Sequence, residues 1–108
     1  MVNLEPAKSG EANKRRPAII VSNDGANVAA ERTRQGVITV VPVTSNISRI
    51  YPFQVLLPAN STGLEHDSKA QAEQVRSISV ERLGYAIGEV PQDLMAELDE
   101  ALRLHLAL

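Results

Sequence analysis

The chain has 108 residues, of which 44% are hydrophobic and 22% charged, the size and balance of a single globular domain with a modest core. It contains no cysteine, which excludes disulfides, thiol catalysis and thiolate metal sites. The net charge of −2 excludes a strongly basic protein of the kind that coats nucleic acid. With only Tyr51, Phe53 and Tyr85 as aromatics, the core has to be aliphatic. No apolar run approaches 18 residues, and Met1–Pro6 is not a signal peptide, so a cytoplasmic protein with no membrane partner is expected. The charge is unevenly spread. Residues 1–54 hold seven Lys/Arg against four Asp/Glu, whereas residues 55–108 hold four against nine. The basic excess centres on Lys14-Arg15-Arg16, with Arg32, Arg34 and Arg49 beyond, and it can attract phosphate locally. A solvated face accounts for the same charges.

Taken in order, Val2–Leu4 reads as a stub of strand, followed by a polar loop up to residue 15. Pro17–Asn23 is a short β-branched apolar run ending on the turn signal Asn23-Asp24-Gly25, the pattern of a buried strand. Residues 25–35 suit a loop or one helical turn. Gly36–Thr44 is the strongest strand, although Pro42 cannot donate to a ladder and implies an edge or bulge near its end. Tyr51–Leu57 reads as a further strand and Pro58–Asp67 as a loop. Ser68–Val80 alternates for part of its length, and Val75, Ile78 and Val80 favour strand over helix there. Leu83–Val90 completes the strands. From Pro91 the spacing of Leu94, Met95, Leu98, Ala101, Leu102 and His105 predicts an amphipathic helix, with acid near its start and Arg103 near its end. Five or six short strands and one terminal helix, with Gly/Pro turns, imply a small closed or nearly closed barrel in a single domain, 1–108.

The residue types that carry chemistry are few. His66 and His105 are the only histidines, and nothing in their spacing places them together. No His/Asp/Glu group has metal-ligand spacing, and no phosphate-binding glycine loop is present. Three short groups remain: Arg16 before Pro17, Thr44-Ser45-Asn46 at the end of the strongest strand, and Glu73-Gln74-Val75-Arg76. Each has a plain structural explanation as well, namely an exposed arginine, a polar turn, and a surface pairing of Glu73 with Arg76.

Taken together, however, these groups resemble the MazF/PemK/Kid toxins. Arg15-Arg16-Pro17-Ala18-Ile19-Ile20-Val21-Ser22-Asn23-Asp24 is similar to that family's opening signature, and Val40-Val41-Pro42-Val43-Thr44-Ser45 to its central strand. Tyr51-Pro52-Phe53-Gln54-Val55, the segment from Asp67-Ser68 to Ala72-Glu73-Gln74-Val75-Arg76-Ser77-Ile78, and Leu94–Leu102 continue the match in order. The resemblance implies a mainly β, SH3-like small antiparallel barrel with a C-terminal helix, of the CcdB/PemK kind. It implies a homodimer that cuts single-stranded RNA at short motifs without metal or cofactor. A MazE-type antitoxin would neutralise it, and toxin and antitoxin together would bind DNA. By position, Arg16, Thr44 and Glu11 match catalytic residues, while Ser45, Asn46, Glu73 and Gln74 match residues that contact RNA.

The physical demands of the reaction agree with that assignment. RNA carries its own nucleophile, the 2′-hydroxyl. The protein must align that oxygen, balance the charge of the phosphorane and see the 5′-oxygen protonated. A guanidinium fork suits phosphate oxygens, and a threonine hydroxyl can complete the cradle. Glu11 and Glu73 are the candidate bases. The products would carry a 2′,3′-cyclic phosphate and a 5′-hydroxyl.

The chain departs from the family in two places that bear on function. Set against the family pattern, the sequence begins near the end of the first strand, so most of that strand is expected to be missing, and it reads Ser9-Gly10-Glu11-Ala12 where a Gly-Ser-Glu-Gln loop is usual. Val90 also stands where a helix-capping residue is common. Three alternatives follow: a silent homologue that binds antitoxin or RNA without cutting, a CcdB-like gyrase poison, and an SH3-like peptide-binding module. The second lacks an aromatic C-terminal anchor, since the tail is Arg103-Leu104-His105-Leu106-Ala107-Leu108, and the third lacks an aromatic groove.

Overall fold

A computed structural model of the chain describes residues 16–23, 32–33 and 35–108 in full and the backbone of 2–4. Within them the chain forms β1 (Val2–Leu4), β2 (Arg16–Ile20), β3 (Val37–Thr44), β4 (Gln54–Leu57), a single helical turn α1 (Ala59–Thr62), β5 (Ser68–Gln71), β6 (Arg76–Ser79), β7 (Leu83–Ala86) and the helix α2 (Gln92–Leu106). All pairings are antiparallel, in the order β4-β5-β3-β2-β1-β7, with β6 also on β3. The fold is therefore mainly β with a C-terminal helix. The expected strand stub is present: β1 pairs with β2 on one side and β7 on the other. The loop expected before residue 16 and the turn expected at 25–35 fall largely outside the described residues. No described helix is long and apolar enough to cross a membrane.

β2 and β3 read as unbroken apolar runs because both of their faces are buried. On one face, Ile19, Val41 and Val43 join Val55, Leu57, Ala70 and Ala72 beneath Leu94, Leu98 and Ala101 of α2. On the other, Ala18, Val40 and Ile38 join Ile78 and Val80, with Leu83 against them, so the sheet bends around a second, smaller core. Strands with period-2 side chains and apolar residues at both parities require cover on both sides. The terminal helix supplies one cover. Its buried Leu94, Leu98 and Ala101 keep the spacing expected of an amphipathic helix.

Pro42 sits on the central strand of the sheet, not on an edge. Val21 donates to the Thr39 carbonyl at 2.9 Å, so residues 39 and 41 aim their backbone polar groups at β2, and 40 and 42 aim theirs the other way. On that far side β6 pairs with β3 from Val37 to Val40, and β5 takes over at Val43. Pro42 occupies the handover, where the missing N–H leaves no ladder bond unmade.

The same handover explains why Ser68–Val80 is two strands rather than one. A 3₁₀ turn at Ala72–Gln74 separates β5 from β6, and Val75 closes it by donating to the Ala72 carbonyl at 3.1 Å. Three further expectations are corrected. Tyr51–Phe53 form a turn, closed by Gln54 N–H on the Tyr51 carbonyl at 2.9 Å, so that strand starts at Gln54. The loop Pro58–Asp67 contains α1, whose first N–H, on Ala59, is accepted by the Asp67 carboxylate at 2.8 Å. β7 stops at Ala86, after which Gly88 passes so close to α1 that a Cβ there would lie 2.2 Å from the Thr62 carbonyl oxygen. That contact fastens the chain after β7 to α1, and the two together wall the site described next.

Candidate active site

Arg16 opens β2 and Thr44 closes β3. The strands run antiparallel with Ala18 against Pro42, and the same register carried on two residues sets Arg16 across from Thr44. Cross-strand partners project to one face, here the face away from α2. Arg16 is exposed and Thr44 half-buried. Two groups far apart in the chain thus meet at one end of the sheet because a strand that begins with arginine pairs with one that ends in threonine.

They line a cleft of about 660 Å³, whose floor also includes Pro17, Val43 and Ser45. Another part of its wall is Gly63, Leu64, Glu65, His66 and Ser68, and Tyr85 and Ile87 complete the lining. That wall is built by local hydrogen bonds. Gly63 ends α1 in the left-handed region at φ +85°, which lets the chain reverse. The buried Thr62 hydroxyl donates to the Pro58 carbonyl at 2.9 Å, and the Ser68 hydroxyl donates to the His66 carbonyl at 2.9 Å.

The Thr44 hydroxyl is oriented. Its oxygen accepts the Asn46 N–H at 3.2 Å, leaving its own proton to be donated outward. The turn continues through Asn46 Oδ1, which accepts from the Ser48 N–H at 3.3 Å and the Ser48 hydroxyl at 2.9 Å. Lys69 lies opposite Thr44 across the sheet and is 8% exposed. Its ammonium donates to the Arg49 carbonyl at 2.6 Å and so holds the loop after Thr44 onto the sheet.

Glu73 and Gln74 lie elsewhere, in the 3₁₀ turn between β5 and β6, and do not line the cleft. Glu73 Oε2 accepts from Gln54 Nε2 at 2.8 Å, and Gln54 Oε1 in turn accepts the Tyr51 N–H at 3.0 Å. Glu73 Oε1 is enclosed and has no partner among the described residues, while Gln74 is exposed. Glu11 lies outside the described residues.

The profile of the PemK-like, MazF-like toxins of type II toxin-antitoxin systems matches residues 1–106. The chain belongs to this family. It is 63% identical over 107 residues to endoribonuclease MazF9 of Mycobacterium tuberculosis, covering 99% of this chain and 91% of that one. Among solved structures, the Mycobacterium tuberculosis toxin MazF-mt6 superposes with a TM-score of 0.78 at 23% identity, over 99% of this chain and 96% of that one, a likeness of fold. A MazE-MazF crystal structure from Deinococcus radiodurans gives a TM-score of 0.75 at 29% identity, over 99% and 90% of the respective chains.

The family signature drew attention to Arg16, Thr44 and Ser45, and the fold brings all three into one cleft. It did not single out Glu65, His66, Tyr85 or Lys69, which reach the same region from a loop and from β7 and β5. Their signals are weak in sequence because a lone histidine in a polar loop, or a lysine in an alternating strand, is ordinary on any surface. The two histidines occupy separate neighbourhoods: His66 lines the cleft, whereas the ring of His105 lies 6.5 Å from that of Phe53.

Proposed function

We propose that this toxin-family chain is a metal-independent endoribonuclease that cuts single-stranded RNA at short sequence motifs in the cytoplasm. The observation that carries the proposal is the Arg16–Thr44 pair facing one cleft, in a chain 63% identical to a named endoribonuclease. A phosphodiester in the cleft meets a guanidinium fork from one strand and a hydroxyl donor from its neighbour. Both stabilise charge on the non-bridging oxygens as the 2′-oxygen attacks. The fixed positive charge of a guanidinium is worth most on the phosphorane dianion, so Arg16 acts on the transition state more than on the bound RNA. The phosphorane collapses to a 2′,3′-cyclic phosphate and a 5′-hydroxyl.

Ser45 and Asn46 contact the RNA at the end of the cleft, beside Thr44. Gln74, through its exposed amide, is assigned to a base near the cut, and Glu73, whose unused oxygen is enclosed, is assigned to holding that RNA-reading turn in place through Gln54. Glu11, in the loop before Arg16, is the acidic partner expected from the family pattern. The protein acts as a homodimer, and a MazE-type antitoxin is its partner, as the MazE-MazF complex among its structural neighbours suggests. The binding-only alternative drew its motive from a missing first strand, and the pairing of β1 with both β2 and β7 weakens that motive.

The test is incubation of the antitoxin-free protein with long single-stranded RNA in EDTA, beside Arg16→Ala. Discrete fragments whose 5′ ends accept phosphate from a kinase without prior phosphatase, absent with the variant, are expected. Intact RNA after incubation with the folded protein would leave a binding-only homologue.

A further inference from the structure

The reaction proposed above needs a proton at the leaving 5′-oxygen, and neither Arg16 nor Thr44 supplies one readily. A guanidinium holds its proton far above neutral pH, and so does an alcohol. Glu73 is tied to Gln54 at 2.8 Å and lies outside the cleft. Among the described residues, the titratable side chains that line the cleft are Arg16 on β2, Tyr85 on β7, and Glu65 and His66 on the loop before β5. A carboxylate at neutral pH has no proton to give, and a phenol gives one reluctantly. An imidazole can both give and regain a proton there.

His66 is also placed for the task. Its side chain is exposed and has no hydrogen-bond partner among the described residues, yet its backbone is held firmly. Its carbonyl accepts the Ser68 hydroxyl, and its neighbour Asp67 is occupied with the Ala59 N–H. A phosphate resting on Arg16 and Thr44 therefore has donors from the sheet and, in the same cleft, an imidazole on a hydrogen-bonded loop.

We infer that His66 is the general acid of RNA cleavage, a role that rests on the endoribonuclease reading. As the 2′-oxygen forms its bond to phosphorus and releases its proton to water, the P–O5′ bond breaks. The electron pair stays on O5′, which takes the proton of the protonated His66 ring. Water returns that proton to the ring, so the enzyme is unchanged and the RNA yields a cyclic phosphate and a 5′-hydroxyl.

The test compares two otherwise identical RNAs, one with the ordinary 5′-oxygen at the cut and one with a bridging 5′-sulfur there. A thiolate leaves without being protonated. His66→Ala and His66→Gln are expected to lose about 10²-fold on the oxygen substrate, the usual contribution of a general acid, and to stay within about threefold of wild type on the sulfur substrate. Equal losses on both substrates would make His66 a structural or base residue and overturn the inference, as would variants that cut the oxygen substrate at the wild-type rate. Arg16→Ala should lose on both. A wild type that cuts neither RNA would instead count against the endoribonuclease reading itself.

Discussion

The residues singled out by the family signature divide between two regions that behave differently. Arg16, Thr44 and Ser45 stand at strand ends, around an open cleft with a loop for part of its wall. Glu73 and Gln74 stand in a tight 3₁₀ turn that also carries structure: Ala72 is fully buried in the helix-covered core, and Glu73 anchors Gln54, which caps the turn at Tyr51. The first region has donors free to act on a substrate. The second has most of its polar capacity already spent inside the protein. On the proposed reading, residues that lie together in a signature divide, one set placed to act on the reacting phosphate and the other holding the scaffold at its margin.

That contrast sets the size of each expected effect. Arg16→Ala removes the one fixed positive charge that lines the cleft among the described residues and should cost about 10³-fold in single-turnover cleavage, roughly 4 kcal/mol of transition-state stabilisation, with little change in melting temperature. Gly88→Ala puts a methyl against the Thr62 carbonyl, a backbone atom that cannot swing aside. It should cost about 1–3 kcal/mol in denaturant unfolding and lower cleavage further by displacing the wall that bears His66. Thr44→Val keeps the shape and loses the donated proton, and should slow cleavage about 10- to 100-fold at saturating RNA. Glu73→Gln is the mildest. The new amide oxygen can still accept from Gln54, so stability should change by less than about 1 kcal/mol. Its effect should fall on which base is preferred beside the cut, read by sequencing fragment ends, rather than on rate. A change in rate for Glu73→Gln as large as that for Arg16→Ala would erase the distinction between the two regions.

Much of this architecture was legible in the sequence. The buried run from Pro17 and the strong strand ending at Thr44 emerged from β-branched apolar residues, and the terminal helix from the spacing of Leu94, Leu98 and Ala101. Their juxtaposition was not legible from pattern alone, since antiparallel pairing of β2 with β3 is a long-range choice; the family resemblance supplied it. Two of the misread elements share one cause. Pro42 marks a change of partner, a tertiary event that in sequence looks like an edge. The turn at Ala72–Gln74 interrupts what alternation presents as one strand, because the central strand exchanges β6 for β5 at that level. The individual residues of the loop wall could not be singled out for a different reason: Glu65-His66-Asp67 has the composition of any polar loop, and only the fold, with the α1 turn and the close approach of Gly88, places it in the cleft with Arg16.

On the proposed function, the chemistry takes place between Arg16 and Thr44 and not at the Glu73 turn. That placement is tested most directly by single-turnover cleavage of one RNA containing one cut site, in EDTA, by wild type, Arg16→Ala and Glu73→Ala at saturating protein. A rate lowered by about 10³-fold is expected for Arg16→Ala and by less than about tenfold for Glu73→Ala, with identical product ends in the latter. A Glu73→Ala protein that folds but no longer cuts, beside an Arg16→Ala protein that still does, would contradict it.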